Sequence, residues 1–173
     1  MNNYFMISKR LGFKNWTIDD YHLAFTLWSN QEVSKYISIN GQFSEKQIKD
    51  RFYLELNNME KYKVAYWPIF LLDNDVFIGV CGLRPYDLDN NIYEIGVHLI
   101  DDYWHQGYAQ EALLKTIEYA FNVLKVNNLN AGHNPHNIRS KKMLEEIGFK
   151  YLKDEYYEPT GLMHPSYLYK NND

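Results

Sequence analysis

The stretch "DDYWHQGYAQEALLKTIEYAF" at residues 101–121 limits the fold most. Ala109, Ala112, Leu113, Thr116, Ile117, Ala120 and Phe121 recur at three- and four-residue spacing, so an amphipathic helix starts close to Gly107. Its first turn holds no bulky aliphatic side chain. A helix that opens on Gly107-Tyr108-Ala109 presents bare main-chain N–H groups, backed by the positive end of the macrodipole, to any anion that can come close. An ordinary tight turn carries the same letters, so the motif gains meaning only from its surroundings.

A strand-like run precedes it. Over 92–100, period-two alternation puts Tyr93, Ile95, Val97 and Leu99 on one face and Glu94, Gly96 and His98 on the other. A solvated sheet face and a cleft lining both give this pattern; the adjoining helix start favours the cleft.

The rest of the chain supplies alternating elements. Residues 4–13 read as a first strand. Asp19 and Asp20 cap a helix through Leu23, Phe25, Leu27 and Trp28 that ends near Asn30. Ser44 with Gln47 resembles a capping box for a second helix through Ile48, Phe52 and Leu56. Runs 64–72, 76–83 and 92–100, joined by short turn-rich segments, predict an antiparallel meander. After the helix at 109–121 come a strand at 129–133, a helix at 137–147 closed by Gly148, and strands at 149–157 and 164–169. The order predicts an α+β fold, a mixed α/β layer around one sheet. No linker, repeat or low-complexity segment divides residues 1–173, so one domain is expected.

Composition excludes some roles. With 46% hydrophobic and 17% aromatic residues the chain can bury a core, and a net charge of −4 without clustered Lys/Arg argues against nucleic-acid binding. No apolar run approaches the roughly 18 residues of a membrane span, and the start lacks a signal-peptide block. The one cysteine, Cys81, lies beside Ile78 and Val80 and reads as a buried free thiol. A cytoplasmic protein is expected. His133 and His136 have no second pair at ligand spacing, so they read as a turn before a helix, and no metal is expected.

Several spaced motifs carry a family likeness. Trp104-His105-Gln106-Gly107-Tyr108-Ala109 resembles the acyl-CoA pyrophosphate loop of the GNAT superfamily of N-acetyltransferases, Q/R-x-x-G-x-G/A, with Trp104 in the first position. Glu94-Ile95-Gly96, "YWHQGYAQEAL" and "NPHNIRSKKMLEEIGF" look like the branch that acetylates N-terminal α-amines of ribosomal proteins. "ISKRLGFKNWTIDDYHLAFTLWSN" is similar to that branch's first strand and helix.

The resemblance implies a central, mostly antiparallel sheet splayed between the strand at 92–100 and the strand near 129–133, flanked by helices. It implies acetyl-CoA as cosubstrate, with pantetheine along Val97, His98 and Leu99. The pyrophosphate falls on the N–H groups of Gln106, Gly107, Tyr108, Ala109 and Gln110. Asn137 matches an asparagine that contacts the cofactor arm or positions water, and it is equally a plain N-cap.

The implied chemistry is direct attack of a neutral amine on the thioester in a ternary complex. Glu94 matches the motif glutamate and is the candidate base, through a water; His98, on the same face, is the alternative. Many superfamily members place a tyrosine seven residues after the Asn137 position to protonate the thiolate, but Leu144 stands there. Ser140, one helical turn after Asn137, is the local substitute.

At pH 7 neutralising a lysine of pKa near 10.4 costs about 4.6 kcal/mol, against about 1.1 kcal/mol for an α-amine near 7.8. The acceptor expected is therefore a protein N-terminus, with a small amine (polyamine or aminoglycoside) as the alternative. The absent tyrosine also raises a rival, a non-catalytic acyl-CoA sensor. Either is compatible with a monomer or a homodimer.

Overall fold

The computed structural model describes residues 2–172. Strands β1 (Met6–Ile7), β2 (Leu11–Phe13), β3 (Tyr66–Leu71), β4 (Phe77–Asp87), β5 (Ile92–Leu99), β6 (Asn128–Gly132), β7 (Lys150–Tyr157) and β8 (Leu162–Lys170) form one eight-stranded sheet. Its order is β1-β2-β3-β4-β5-β6-β8-β7. Helices α1 (Tyr21–Trp28), α2 (Gln31–Ser34), α3 (Glu45–Tyr62), α4 (Tyr108–Asn122) and α5 (Ile138–Ile147) flank it. This is the mixed α/β layer expected.

Neighbouring strands run antiparallel except β5 and β6, which are parallel. That pair registers only at Ile92 with Asn128, Tyr93 with Leu129 and Glu94 with Asn130. Beyond Glu94 the two strands part, while β5 stays paired to β4 as far as Leu99. The sheet thus forks where Glu94 ends the shared ladder.

The core explains the sequence on both faces of β4. Ile78, Val80, Cys81 and Leu83 are fully buried, as a strand covered on both sides requires. On one face α4 presents Ala112, Leu113, Thr116, Ile117 and Ala120, whose small members let the helix lie close. Cys81 Sγ sits 3.3 Å from Thr116 Oγ1, and burial lifts the unpaired thiol to about 12. On the other face Trp28, Ile48 and Phe52 of α1 and α3 are buried, with Trp16 edge-on to Phe52 at 5.6 Å. The Ser44–Gln47 capping box forms, with Ser44 N donating to Gln47 Oε1 (2.8 Å) and Gln47 N to Ser44 Oγ (3.1 Å). Gly148 ends α5 in the left-handed region at φ 117°.

Three local features differ from or add to the expectation. Residues 4–13 form a hairpin, not one strand, because the turn between β1 and β2 is held from elsewhere: Glu111 of α4 accepts from Ser8 Oγ and from Arg10 N, each at 2.7 Å. Asn30 does not merely end a helix; its side chain accepts from Glu32 N (2.9 Å) and so caps the extra short helix α2. Asp20 caps from the third position of a 3-10 turn, accepting from Thr17 N at 2.8 Å. No helix among the described residues is long and apolar enough to cross a membrane.

Candidate active site

The fork in the sheet opens into a cleft of about 980 Å³, lined from β3, β4, β5, α2, α4, α5 and the β7–β8 hairpin. Its two ends are built differently. Of the expected site residues, Glu94, Val97, His98, Leu99, Gly107, Tyr108, Ala109, Gln110, Asn137 and Ser140 all line it; Gln106 does not.

At one end the wall is main chain. Gly107, the N-cap of α4, stands at φ 80° and His105 at φ 62°, so two left-handed residues bracket Gln106 and curl the backbone into a concave turn. Glycine tolerates that conformation at Gly107 without cost. The first internal bond of α4 runs from Glu111 N to Gly107 O (3.1 Å), so the N–H groups before Glu111 have no helical acceptor. No side chain among the described residues caps this helix end. Trp104 fixes the turn to β5: its Nε1 donates to Leu99 O at 2.9 Å, and the Arg139 guanidinium lies 4.7 Å from its ring centre.

The edge of β5 facing the gap is set by ladder geometry. Ile100 N donates to Ile78 O (2.9 Å), and stepping back by twos turns the main chain of His98 and Gly96 towards β4 as well. Val97 and Leu99 therefore direct their polar main-chain groups into the gap. Of the three residues expected along pantetheine, His98 offers it a ring and no backbone.

At the other end the wall is side chain. Tyr66, Gly82 and Gly96 stand abreast on β3, β4 and β5. A Cβ on Gly96 would fall 2.4 Å from Tyr66 Oη, so the glycine clears the path by which Tyr66 Oη donates to Glu94 Oε1. Burial, reinforced by the neighbouring Glu94 carboxylate, holds the Tyr66 phenol well above its ordinary value of 10, so it stays a donor. Glu94 Oε2 has no protein partner among the described residues.

Behind Tyr66 lies an ion pair. The Arg84 guanidinium covers the Tyr66 ring at 4.0 Å and its Nε donates to Glu55 Oε1 at 3.0 Å. Glu55 is 0% exposed and its Oε2 accepts from Tyr66 N at 2.7 Å, so this buried charge is paired and hydrogen-bonded at both oxygens. Burial pulls Arg84 down, but Glu55, with Tyr66 and Glu94, more than restores it and leaves it raised.

His98 shares the face of Glu94. Its Nδ1 accepts from Trp28 Nε1 at 3.1 Å, and an indole only donates, so a neutral ring carries its proton on Nε2. Burial, then the nearby Arg51 and Arg84 cations, push this imidazole well below 6.5. Tyr86 Oη donates to Glu155 Oε1 (2.6 Å) farther along the same wall.

At α5, Asn137 Oδ1 accepts from Ser140 N (3.2 Å), which makes Asn137 the N-cap. Ser140 Oγ makes no bond to the preceding turn among the described residues. Leu144 is buried in the core. His133 is structural: its Nδ1 lies 2.7 Å from Asn134 O and its Nε2 3.1 Å from Tyr167 Oη. His136 and Lys142 line the cleft. No group of three His, Cys, Asp or Glu among the described residues is placed to hold a metal ion.

The sequence alone did not disclose Tyr66, Arg84 or Glu55, and it gave Trp28 as an apolar helix position without its bond to His98. Glu55 left a trace, an acid in the apolar stripe of Ile48, Phe52 and Met59; nothing local marked the others.

The sheet forks beside an uncapped helix start, and comparison with known proteins supplies the family that shares this arrangement. The model of the Acetyltransferase (GNAT) domain family matches residues 10–150, and the chain belongs to this family and is an N-acetyltransferase. It is 28% identical over 95% of its length, and 93% of the relative's, to a protein named uncharacterized N-acetyltransferase p20 of Bacillus licheniformis. Its fold is similar to ribosomal-protein-S5-alanine acetyltransferase of Vibrio fischeri, with a TM-score of 0.78 at 17% identity over 99% of this chain and 98% of that one. It is similar also to spermidine N-acetyltransferase of Vibrio cholerae in complex with CoA and spermine, with a TM-score of 0.76 at 13% identity over 93% and 95% of the two chains. Family members use acetyl-CoA and an amine acceptor.

Proposed function

We propose that the protein transfers the acetyl group of acetyl-CoA to a primary amine by direct attack within a ternary complex, most readily to an N-terminal α-amine of a protein. The observation that carries the reading is the joining of two features in one cleft: an uncapped helix N-terminus behind Gly107, and a carboxylate, Glu94, at the point where β5 leaves β6. The cradle fits the cosubstrate. Gly107, Tyr108, Ala109 and Gln110 offer N–H donors to the diphosphate, Gln106 shapes the turn from outside the wall, and Val97, with the N–H of Leu99, offers main-chain partners to the pantetheine amides, the Leu99 carbonyl being held by Trp104.

The amine nitrogen forms a bond to the acetyl carbon while the carbon–sulfur bond breaks. The amine proton passes through a water to Glu94, whose orientation Tyr66 fixes through its hydrogen bond to Oε1. His98 is the poorer base, since its Nδ1 is engaged by Trp28 and its Nε2 is protonated. The departing thiolate takes a proton from Ser140 Oγ, relayed from solvent, and Asn137 holds that helix end in place.

A polyamine or aminoglycoside acceptor is the second reading, favoured by the carboxylates Glu94 and Glu155 lining the same cleft. Release of free thiol from acetyl-CoA, measured against peptides with free N-terminal Ser or Ala, polyamines and aminoglycosides, separates these. Turnover on peptides alone supports the leading reading, and turnover on polyamines alone replaces it with the second. Coenzyme A binding without thiol release on any amine overturns both in favour of a sensor.

A further inference from the structure

We infer that Arg10, on the turn between β1 and β2, is a positioning residue for the diphosphate cradle: it turns the Gln106–Gly107 peptide so that the Gly107 N–H faces the cleft. The inference rests on reading the start of α4 as the diphosphate site. Arg10 Nη1 donates to Gln106 O at 3.0 Å. A trans peptide sets its C=O and N–H on opposite sides, and none in the described chain is cis, so holding Gln106 O on the outside sends Gly107 N–H the other way. Gly107 lines the cleft and Arg10 does not, which makes the other way inward.

The rest of Arg10 is held to do this. Its Nε donates to Glu111 Oε2 and its own N to Glu111 Oε1, both at 2.7 Å, with Ser8 Oγ on the same carboxylate at 2.7 Å. Its guanidinium lies 4.2 Å from the centre of the Tyr108 ring. One side chain therefore touches the residues on either side of Gly107 and a carboxylate in the first turn of α4. That carboxylate would repel a diphosphate. Arg10 draws it towards the β1–β2 turn and balances its charge, and the hydrogen bonds from Ser8 and Arg10 outweigh burial to keep Glu111 below its ordinary range. Only a forked donor serves Glu111 and Gln106 O at once. The strap also explains why α4 tolerates an acid where the phosphates are to lie.

Calorimetric titration of the full chain with coenzyme A and with pantetheine, which has the same arm and no diphosphate, tests the assignment. The wild type is expected to bind coenzyme A far more tightly than pantetheine. Arg10→Ala is expected to weaken coenzyme A about tenfold and leave pantetheine unchanged, the size expected when one charge-assisted contact is lost. Arg10→Lys keeps a charge near Glu111 but lacks the fork, and is expected to lose about threefold on coenzyme A alone; it decides the matter if the alanine variant does not fold. Equal loss on the two ligands, or no loss on either, overturns the role of Arg10. A wild type that binds both equally overturns instead the reading of the α4 start as a diphosphate site.

Discussion

The two ends of the cleft are made of different material. The end behind Gly107 is main chain: an uncapped helix start, two left-handed residues and a strand edge that β6 no longer pairs, all between Val97 and Gln110. The end around Glu94 is side chain: Tyr66 from β3, Arg84 from β4, Glu55 from α3 and Trp28 from α1. Main-chain donors serve any ligand with a diphosphate and change little when side chains change. A side-chain wall is set residue by residue, so under the proposed function it is the end assigned to acceptor choice.

If chemistry belongs to the side-chain end alone, Glu94→Gln gives the largest effect. It keeps the shape and a hydrogen bond to Tyr66 but removes the proton acceptor, so kcat/KM at neutral pH should fall roughly 10²–10⁴-fold, with coenzyme A binding unchanged. Unaltered kinetics would take Glu94 out of the mechanism.

Next in size is the support beneath that end. Glu55→Ala strands Arg84 as an uncompensated cation in a packed site and should cost about 3–5 kcal/mol of stability, read as a lower urea midpoint. The double change Glu55→Leu with Arg84→Met should recover most of it. A cost under about 1 kcal/mol for the single change would mean that the pair is solvated, not buried.

The opposite end answers to backbone changes instead. At φ 80° an alanine is strained, and its Cβ would lie 3.4 Å from Arg10 Nη2. Gly107→Ala should therefore cost about 1–2 kcal/mol in the cradle conformation and raise KM for acetyl-CoA roughly 5–30-fold without moving KM for the acceptor. Equal movement of both constants would erase the distinction between the two ends.

That distinction also explains what the sequence disclosed. The cradle is legible because a helix start, its glycine and its small residues are contiguous, and so is the alternation that groups Glu94, Gly96 and His98. The wall is not, because its contacts join Tyr66 to Glu94, Arg84 to Glu55 and Trp28 to His98 across long stretches of chain. The β1–β2 turn escaped for the same reason. "SKR" contains no turn-forming glycine, proline or asparagine, and what bends it is a carboxylate on α4. Family likeness reached the cofactor residues through a loop motif; the likeness over the first strand covered Arg10 without giving it a role, and none covered Tyr66.

The smallest expected effect is a pH dependence confined to the side-chain end. His98 sits well below 6.5 when folded, through burial and the Arg51 and Arg84 cations, and titrates near 6.5 when unfolded. Between those values the unfolded chain binds the extra proton, so stability is full above pH 6.5 and declines as pH falls through it, at up to about 1.4 kcal/mol per pH unit. His133 and His164 are also depressed by burial and add to the wild-type slope, so the informative quantity is a difference. Urea unfolding at pH 7.5 and at pH 5.5 should show the wild type losing about 1 kcal/mol more than His98→Gln. The carboxyls that Ser8, Arg10 and Tyr86 hold below 4.5, Glu111 and Glu155, release their share only at lower pH and stay outside this window. Equal losses in the two proteins would mean that His98 protonates in place, which would free the Trp28 contact and restore the imidazole as a rival to Glu94.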